Sequence, residues 1–417
     1  MVAAALLAVT AAACDGGNDG DTAPTATGAI AVLPTTTVPA RVDDGRLTIG
    51  LLLPRRGEGA AMGQSMADAA NSAILGVNAV GGVRGEPVVV EVADEGETAT
   101  EAADAMQQLI DEGVDAVVGP ASSTSALAHL DLLLDNDVLT CSPSATALAL
   151  DDYPDRDLFV RTAPSDSLQA TGLAQLAEQT GRTTLAVTWL DDVYGRPLAE
   201  ETLESLRARS ATIDVVDEVP FAADGSLEET AARIAAAKPG VVIVIADADH
   251  GGDLLPALSA AVAADPSVET PDIILNDTMR IPNSPSTIAG LPAEFRSRIQ
   301  GLAPVAEGPD DVPGAFATNA FDCATLIALA AHQVGPDDTL GMREAINELS
   351  TRGGACRDFG NCVQALAGGR NIDYEGPSGP VQIGPDGDPE RARYDIFRFT
   401  DEGVDRTERQ FTVTRVP

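Results

Sequence analysis

The strongest constraint on the fold is an alternation. Short apolar runs, "LTIGLLL" at 47–53, "PVVVEVA" at 87–93, "DAVVG" at 115–119 and "VLTCS" at 138–142, are separated by stretches of helical period. Residues 61–78 carry Met62, Met66, Ala69, Ala70, Ile74 and Val77 near helical spacing. Residues 97–112 do the same with Ala103, Met106, Leu109 and Ile110 before stopping at Gly113. A third helix is predicted over 122–135, and "GGVRG" at 81–85 reads as a turn. Strands with little polar alternation are buried on both faces, so this βαβα order predicts a parallel sheet covered by helices on each side.

The alternation starts afresh after "FVRTAPS" at 159–165. "TLAVTW" (184–189), a helix over 195–209, "IDVVDEV" (213–219), a helix over 226–237, "GVVIVIA" (240–246), a helix over 251–264 and "DIILN" (272–276) form a second unit. A proline-rich loop over 281–292, a long helix near 312–334, a shorter one near 340–349 and a β-rich C-terminus with "YDIFRFT" (394–400) follow. The expected class is therefore α/β, with two Rossmann-like lobes, each a mainly parallel sheet with helices on both faces. At 417 residues the chain is long enough for two or three cores.

The N-terminus reads as a processing segment. In "MVAAALLAVTAAACDGG" the apolar run over 2–13 is too short to span a bilayer and fits the core of a secretory signal. Its end, "AAAC", resembles a bacterial lipobox, so residues 1–13 are expected to be a signal peptide and Cys14 a lipidated mature N-terminus. No Lys or Arg precedes the run, which leads to the expectation that the true start lies upstream; a plain exported protein cut near Ala13 is the alternative. The segment to residue 46 is rich in Asp, Gly, Thr, Pro and Ala without apolar period, a disordered tether of ~30 residues that would span about 30 Å. The expected location is the extracytoplasmic face of the cell membrane, reached through the lipid anchor only.

Five cysteines fit an exported chain. With Cys14 set aside, Cys356 and Cys362 in "GGACRDFGNCVQ" suit a short loop-closing disulfide. Cys141 and Cys323 remain as a candidate long-range pair, with buried free thiols as the alternative. No cysteine or histidine spacing suits zinc. The formal net charge of −38 repels nucleic acid and anionic membrane surfaces, and aromatic residues at 3% leave no base-stacking platform.

Both "VVGPASSTSAL" (117–127) and "VLTCSPSATAL" (138–148) end an apolar strand on a cluster of hydroxyls. In open α/β sheets ligands bind beyond the carboxyl ends of the strands, where helix N-termini offer free N–H groups. Ser123 and Thr124 are expected at one helix start, Ser144 and Thr146 at the next, where they would cradle a carboxylate without a lysine; the plainer alternative is that they only cap helices. Signs of catalysis are lacking. His129, His250 and His332 are scattered, no nucleophile elbow or phosphate loop occurs, and Gly81, Gly82 and Gly85 follow a helix. The expectation is a chain that is not an enzyme and needs neither metal nor cofactor.

Taken in order, "NAVGGVRGEPV", "VVGPASS", "SPSAT", "RTAPSD", "DDVYGRPLA" and "YEGPSGPVQIGPDGDP" resemble the type I periplasmic-binding-protein superfamily. The resemblance is to its leucine/isoleucine/valine (branched-chain amino acid) receptors of ABC transporters and covers about 47–400. It implies two lobes joined by three hinge crossings near 162, 304 and 388. The N-terminal lobe would hold 47–162 plus 304–388, and the C-terminal lobe 163–303 plus 389–417. It also implies a monomer that captures an amino acid or similar small polar solute and delivers it to a membrane permease and its ATPase. A sensing lipoprotein of the same fold is the alternative. By the same resemblance Ser123 is the carboxylate-binding serine, Ser144 and Ala145 offer backbone groups, Thr146 its hydroxyl, Tyr194 closes from the second lobe, and Asp277 holds the ligand ammonium. One departure is "VIADADHGGD": Asp247 and Asp249 stand where the family places ligand-contacting aromatics, which points away from a branched aliphatic ligand unless these acids merely start a helix. Arg55, Arg56 and Glu58, in a variable loop, are candidates for the cleft border.

Overall fold

The computed structural model describes residues 44–57, 59–155, 157–209, 212–280, 285–306 and 314–415. The signal segment, Cys14, Glu58 and the tether up to residue 43 lie outside them.

The first sheet is built from β1 (Thr48–Leu53), β2 (Val89–Asp94), β3 (Ala116–Val118), β4 (Leu139–Ser142) and β5 (Phe159–Arg161), in the order β2-β1-β3-β4-β5. All four pairings are parallel. The crossovers are α1 (Ala60–Ala79), α2 (Ala99–Asp111) and α3 (Ser123–Leu134). Each starts where local chemistry allows: α2 opens on a capping box between Thr98 and Glu101, and the Ser122 hydroxyl accepts the Ser125 N–H to open α3. At the end of β3, Gly119 has φ +130°, and a Cβ there would sit 2.1 Å from the Leu52 carbonyl oxygen. Only glycine lets the corner come that close to β1.

Next come α4 (Asp166–Gln179), β6 (Thr184–Leu190), α5 (Gly195–Arg209), β7 (Asp214–Phe221), α6 (Leu227–Ala236), β8 (Val241–Ile245), α7 (Ala248–Ala264), β9 (Asp272–Leu275), the short α8 (Pro285–Ala289) and α9 (Ala293–Arg296), and β10 (Ile299–Pro304). The remainder is α10 (Ala317–Val334), α11 (Thr339–Thr351), β11 (Gly354–Cys356), α12 (Phe359–Ala367), β12 (Ile372–Gly376), β13 (Gly379–Pro380), β14 (Arg391–Phe399) and β15 (Asp405–Thr414). The second sheet has the order β15-β14-β10-β9-β8-β6-β7, parallel except for the antiparallel β14 and β15. Among the described residues no helix is long and apolar enough to cross a membrane.

The chain passes between the two bodies three times. It leaves the first sheet after Arg161, and α4 then packs on the second. It returns after Pro304, because α10 packs against α1 and the first sheet. It leaves again between the small β11-β12-β13 sheet and β14. Helix α10 is the spine of the first body: Leu326, Ile327 and Leu329 are fully buried, and each contributes on the order of 2 kcal/mol through burial. Cys323 of α10 is bonded to Cys141 of β4, with the Cα atoms 5.7 Å apart, and Cys356 is bonded to Cys362.

Several expectations need correcting. Helix α4 is absent from the periodicity reading because ten of its residues, many of them small, are buried, which leaves no polar face to set a period. Part of the expected 281–292 loop is α8, and α10 begins at Ala317, later than its apolar pattern suggested. The corner after β4 does not start a helix. One 3-10 turn, Leu148–Leu150, follows it, and the chain goes on to β5. There the Arg161 guanidinium donates to the Ala145 and Ala147 carbonyls at 3.3 and 3.1 Å, and the Ala147 carbonyl also accepts the Leu150 N–H of the 3-10 turn at 3.0 Å.

Candidate functional site

The two hydroxyl corners are joined to each other. Ser142 Oγ donates to the Pro120 carbonyl (2.6 Å), Ser144 Oγ donates to the Ala121 carbonyl (2.9 Å), and the Ala147 N–H donates to Ser123 Oγ (3.3 Å). A buried acid that sequence reasoning missed holds the first corner: Glu95 accepts the Ala121 and Ser122 N–H groups at 2.8 and 2.9 Å. Burial raises its carboxyl above the ordinary value even though these bonds favour the ion. Much of the supply of backbone donors expected to face a ligand is therefore used within the fold. Half-buried Ser123 accepts one bond, and its hydroxyl proton has no acceptor among the described residues. Thr124 is exposed.

The second sheet supplies the facing groups. Gly195, the first residue of α5 and the neighbour of Tyr194, lies so close to β6 that a Cβ would sit 2.2 Å from the Leu190 carbonyl oxygen. Tyr194 Oη donates to Asp277 Oδ1 (3.0 Å) and accepts from Asn276 Nδ2 (3.3 Å). Asp277 lies in the 3-10 turn after β9, and its N–H donates to Gln169 Oε1 of α4 at 3.5 Å. Burial raises the Asp277 carboxyl, opposed by bonds from Tyr194 and Gln169.

Asp166 connects the two sides. It is the first residue of α4, beyond the hinge strand, and is 3% exposed. Its N–H donates to the Thr146 carbonyl at 2.9 Å. Oδ1 is buried with no hydrogen-bond partner in the described structure. Burial, and then the like charge of Asp277, hold this carboxyl well above the usual range. The fully buried Tyr394 hydroxyl of β14, also without a partner, lies within the field of both acids. A continuous polar line thus runs from Ser123 through Ala147 and Thr146 to Asp166, Asp277 and Tyr194. Ser144 and Ala145 lie behind it, Ser144 bonded to the first corner and Ala145 held through its N–H by Ser142. Nothing in the sequence marked Asp166, because its importance comes from the loss of water on packing.

The site rests on a buried charge cluster. Arg161, with no exposure, binds Asp388 through both oxygens (2.7 and 2.6 Å) and Asp151 at 2.6 Å. Burial works against its charge, and the two carboxylates more than compensate. Of the other residues the sequence singled out, Asp247 and Arg56 have partners within their own lobes. Asp247 caps α7 by accepting the His250 N–H at 2.8 Å, and its other oxygen lies 2.7 Å from the His250 ring. Arg56 pairs with Asp94, and the Arg55 N–H donates to the same carboxylate. The substitution of acids for aromatics in "VIADADHGGD" therefore reflects, at Asp247, a helix start. Among the described residues no cluster of His, Cys, Asp or Glu could hold a metal ion.

Known proteins agree with this architecture. BasB, the chemotactic signal transduction system substrate-binding protein of Halobacterium salinarum, is 28% identical over 389 residues, covering 87% of this chain and 89% of BasB. The Leu/Ile/Val-binding protein BraC3 of Rhizobium johnstonii is 28% identical over 367 residues, covering 85% and 91%. The crystal structure of the branched-chain amino acid transporter substrate binding protein LivJ from Streptococcus pneumoniae, in complex with isoleucine, superposes with a TM-score of 0.65 at 19% identity, covering 89% of this chain and all of that one. The sequence profile of the family described as periplasmic binding protein matches residues 46–269, more than half of the chain. With two α/β lobes, three passages between them and facing polar groups at the junction, this chain belongs to the periplasmic binding protein family, a non-enzymatic ligand-binding family of type I fold.

Proposed function

We propose that the protein is the extracytoplasmic receptor of an ABC importer, capturing an amino acid or a related small polar solute between its lobes and handing it to a membrane permease. The observation that carries this reading is the polar line across the hinge, from the first-lobe hydroxyls to second-lobe Tyr194 and Asp277, along which the buried acids Asp166 and Asp277 have no ion pair among the described residues. Ser123 and Thr146 would take the ligand's carboxylate, and Asp277 and Tyr194 its ammonium. A solute touching both lobes favours the closed state because only that state offers all the contacts. Lipidation at Cys14 would hold the receptor, as a monomer, beside the permease on the outer face of the membrane, with the segment to residue 46 as tether.

The test is calorimetry on Ser123→Ala/Asp277→Ala with ligands found by a thermal-shift screen of amino acids, amides, short-chain acids and polyamines. Loss of one neutral and one charged contact predicts at least about 100-fold weaker binding with an unchanged apo melt. Unaltered affinity would overturn the assignment. Similarity to BasB favours a second reading, ligand sensing without import. Loss of labelled-solute uptake on gene deletion supports import; intact uptake with a lost behavioural response supports sensing.

A further inference from the structure

We propose a second ligand site, away from the junction of the lobes: the hollow where α10, α11 and α12 end binds a small organic carboxylate, which seats its charge between Arg352 and Arg370 and its apolar body on the residues beneath them. This site stands or falls independently of the receptor reading.

The hollow has a volume of about 400 Å³, within the range of small-molecule sites. Buried Leu349 and Ile372 and half-buried Leu366 give it an apolar floor, and the exposed Arg352 and Arg370 stand on its border with Glu348. It is remote from the cleft. Helix α10 meets the hinge where Asn319 donates to the Thr162 carbonyl at 2.7 Å, and His332, on the wall of the hollow, lies about 20 Å further along at 1.5 Å per residue. Two observations point to an anion. The first is that the helix ends meeting here already have donors. Arg84 donates to the His332 and Gln333 carbonyls of α10 at 2.9 and 2.8 Å. The Ser350 and Thr351 hydroxyls take the Ile346 and Asn347 carbonyls of α11 at 2.8 and 2.6 Å. The N–H groups of Gly368, Gly369 and Arg370 take the last carbonyls of α12. The Arg352 and Arg370 guanidiniums are thus not needed to close these helices. The second is the charge balance. Neither guanidinium has an ion pair among the described residues, in a chain with 64 acids and 26 Lys and Arg. Glu348 is the one acid among the described residues lining the hollow, and Arg84 beside His332 adds a third positive charge. Asp358 borders an adjoining hollow that Arg370 shares, but it is held as the α12 cap by the Asn361 N–H at 2.9 Å. Two cations on one border repel, and an anion seated between them relieves the repulsion. A carboxylate matches the guanidinium fork, and an apolar body covers a floor that an inorganic ion would leave to water.

The experiment is calorimetry on the folded chain with hexanoate and phenylacetate, with hexanamide and phenylacetamide as neutral counterparts and with inorganic phosphate as an anion lacking an apolar body. The two carboxylates should bind saturably at up to about 10 mM, and the amides and phosphate at least about tenfold more weakly. Arg352→Gln/Arg370→Gln should weaken hexanoate about tenfold and leave the melt within about 1 °C of wild type, because both side chains are exposed. Glu348→Gln should tighten hexanoate about two- to threefold, since a like charge has gone. Ser123→Ala/Asp277→Ala should leave hexanoate affinity as it was. If the double arginine variant does not fold, Arg370→Gln alone and Glu348→Gln decide the matter, with opposite signs expected. Amides that bind as well as the carboxylates overturn the charge requirement, and phosphate that binds more tightly than hexanoate overturns the role of the floor. Hexanoate binding that is lost in Ser123→Ala/Asp277→Ala and kept in the arginine variant places the carboxylate in the cleft, which overturns the second site and leaves the receptor reading standing. Absence of saturable carboxylate binding overturns the second site alone.

Discussion

Arg161→Met tests the hinge cluster directly. Methionine keeps much of the side chain's length and bulk but removes the charge and the N–H donors. It strands Asp388, 3% exposed, and the largely buried Asp151, and it frees the Ala145 and Ala147 carbonyls. Removing one partner of a buried ion pair costs about 3–5 kcal/mol. For about 360 described residues the unfolding entropy is roughly 0.75 kcal/mol/K, so the melt should fall by about 4–7 °C. The loss should depend on pH with a fixed sign. Burial already raises the Asp388 carboxyl, and without Arg161 its folded value moves further above the unfolded one. A raised carboxyl gives stability at acid pH that is lost as pH climbs toward the folded value. The gap between wild type and variant should therefore be wide at pH 8 and narrower at pH 5, read by differential scanning calorimetry. Ligand affinity should weaken as well, since the second corner loses its anchor. A melt within about 1 °C of wild type at both pH values would refute the reasoning.

Two further predictions concern the first lobe. Asp322 in α10 accepts from Tyr374 Oη (2.7 Å) and from the N–H and hydroxyl of Ser378, yet burial pushes its carboxyl up to about 7 from an ordinary 3.8. The stability advantage of wild type over Asp322→Asn should thus shrink by about 2–3 kcal/mol between pH 5 and pH 8 in urea titrations, and equal differences at the two pH values would contradict it. The Cys141–Cys323 bond joins residues 182 apart and the Cys356–Cys362 bond residues 6 apart, so chain entropy assigns them about 5 and about 2 kcal/mol. Replacing the long-range pair by alanines should lower the melt more than replacing the short one, and the reverse order would count against this.

What could be read in advance follows from what each residue answers to. Helix α5 was legible because Gly195 opens it, arginines close it and one face alone is buried. Helix α4 was hidden because neighbours enclose it on nearly all sides, so its composition records tertiary packing and carries no amphipathic signal. The hydroxyls of Ser142 and Ser144 looked alike in the sequence to that of Ser123, but each has a carbonyl opposite it that only the fold supplies. Asp247 shows the converse, since an acid beside a strand end is a cap or a contact according to which way its helix runs. Asp166 stood in plain view within "RTAPSD", and its meaning came only from the water it loses.

The long-range disulfide has a topological consequence. Both of its cysteines belong to the first lobe, yet strands β6 to β10 of the second all lie between them along the chain. That part of the second lobe lies within a covalently closed ring. A single backbone cut anywhere inside it leaves one connected molecule, with the hydroxyl corner after β4 still fastened to the spine of its own half.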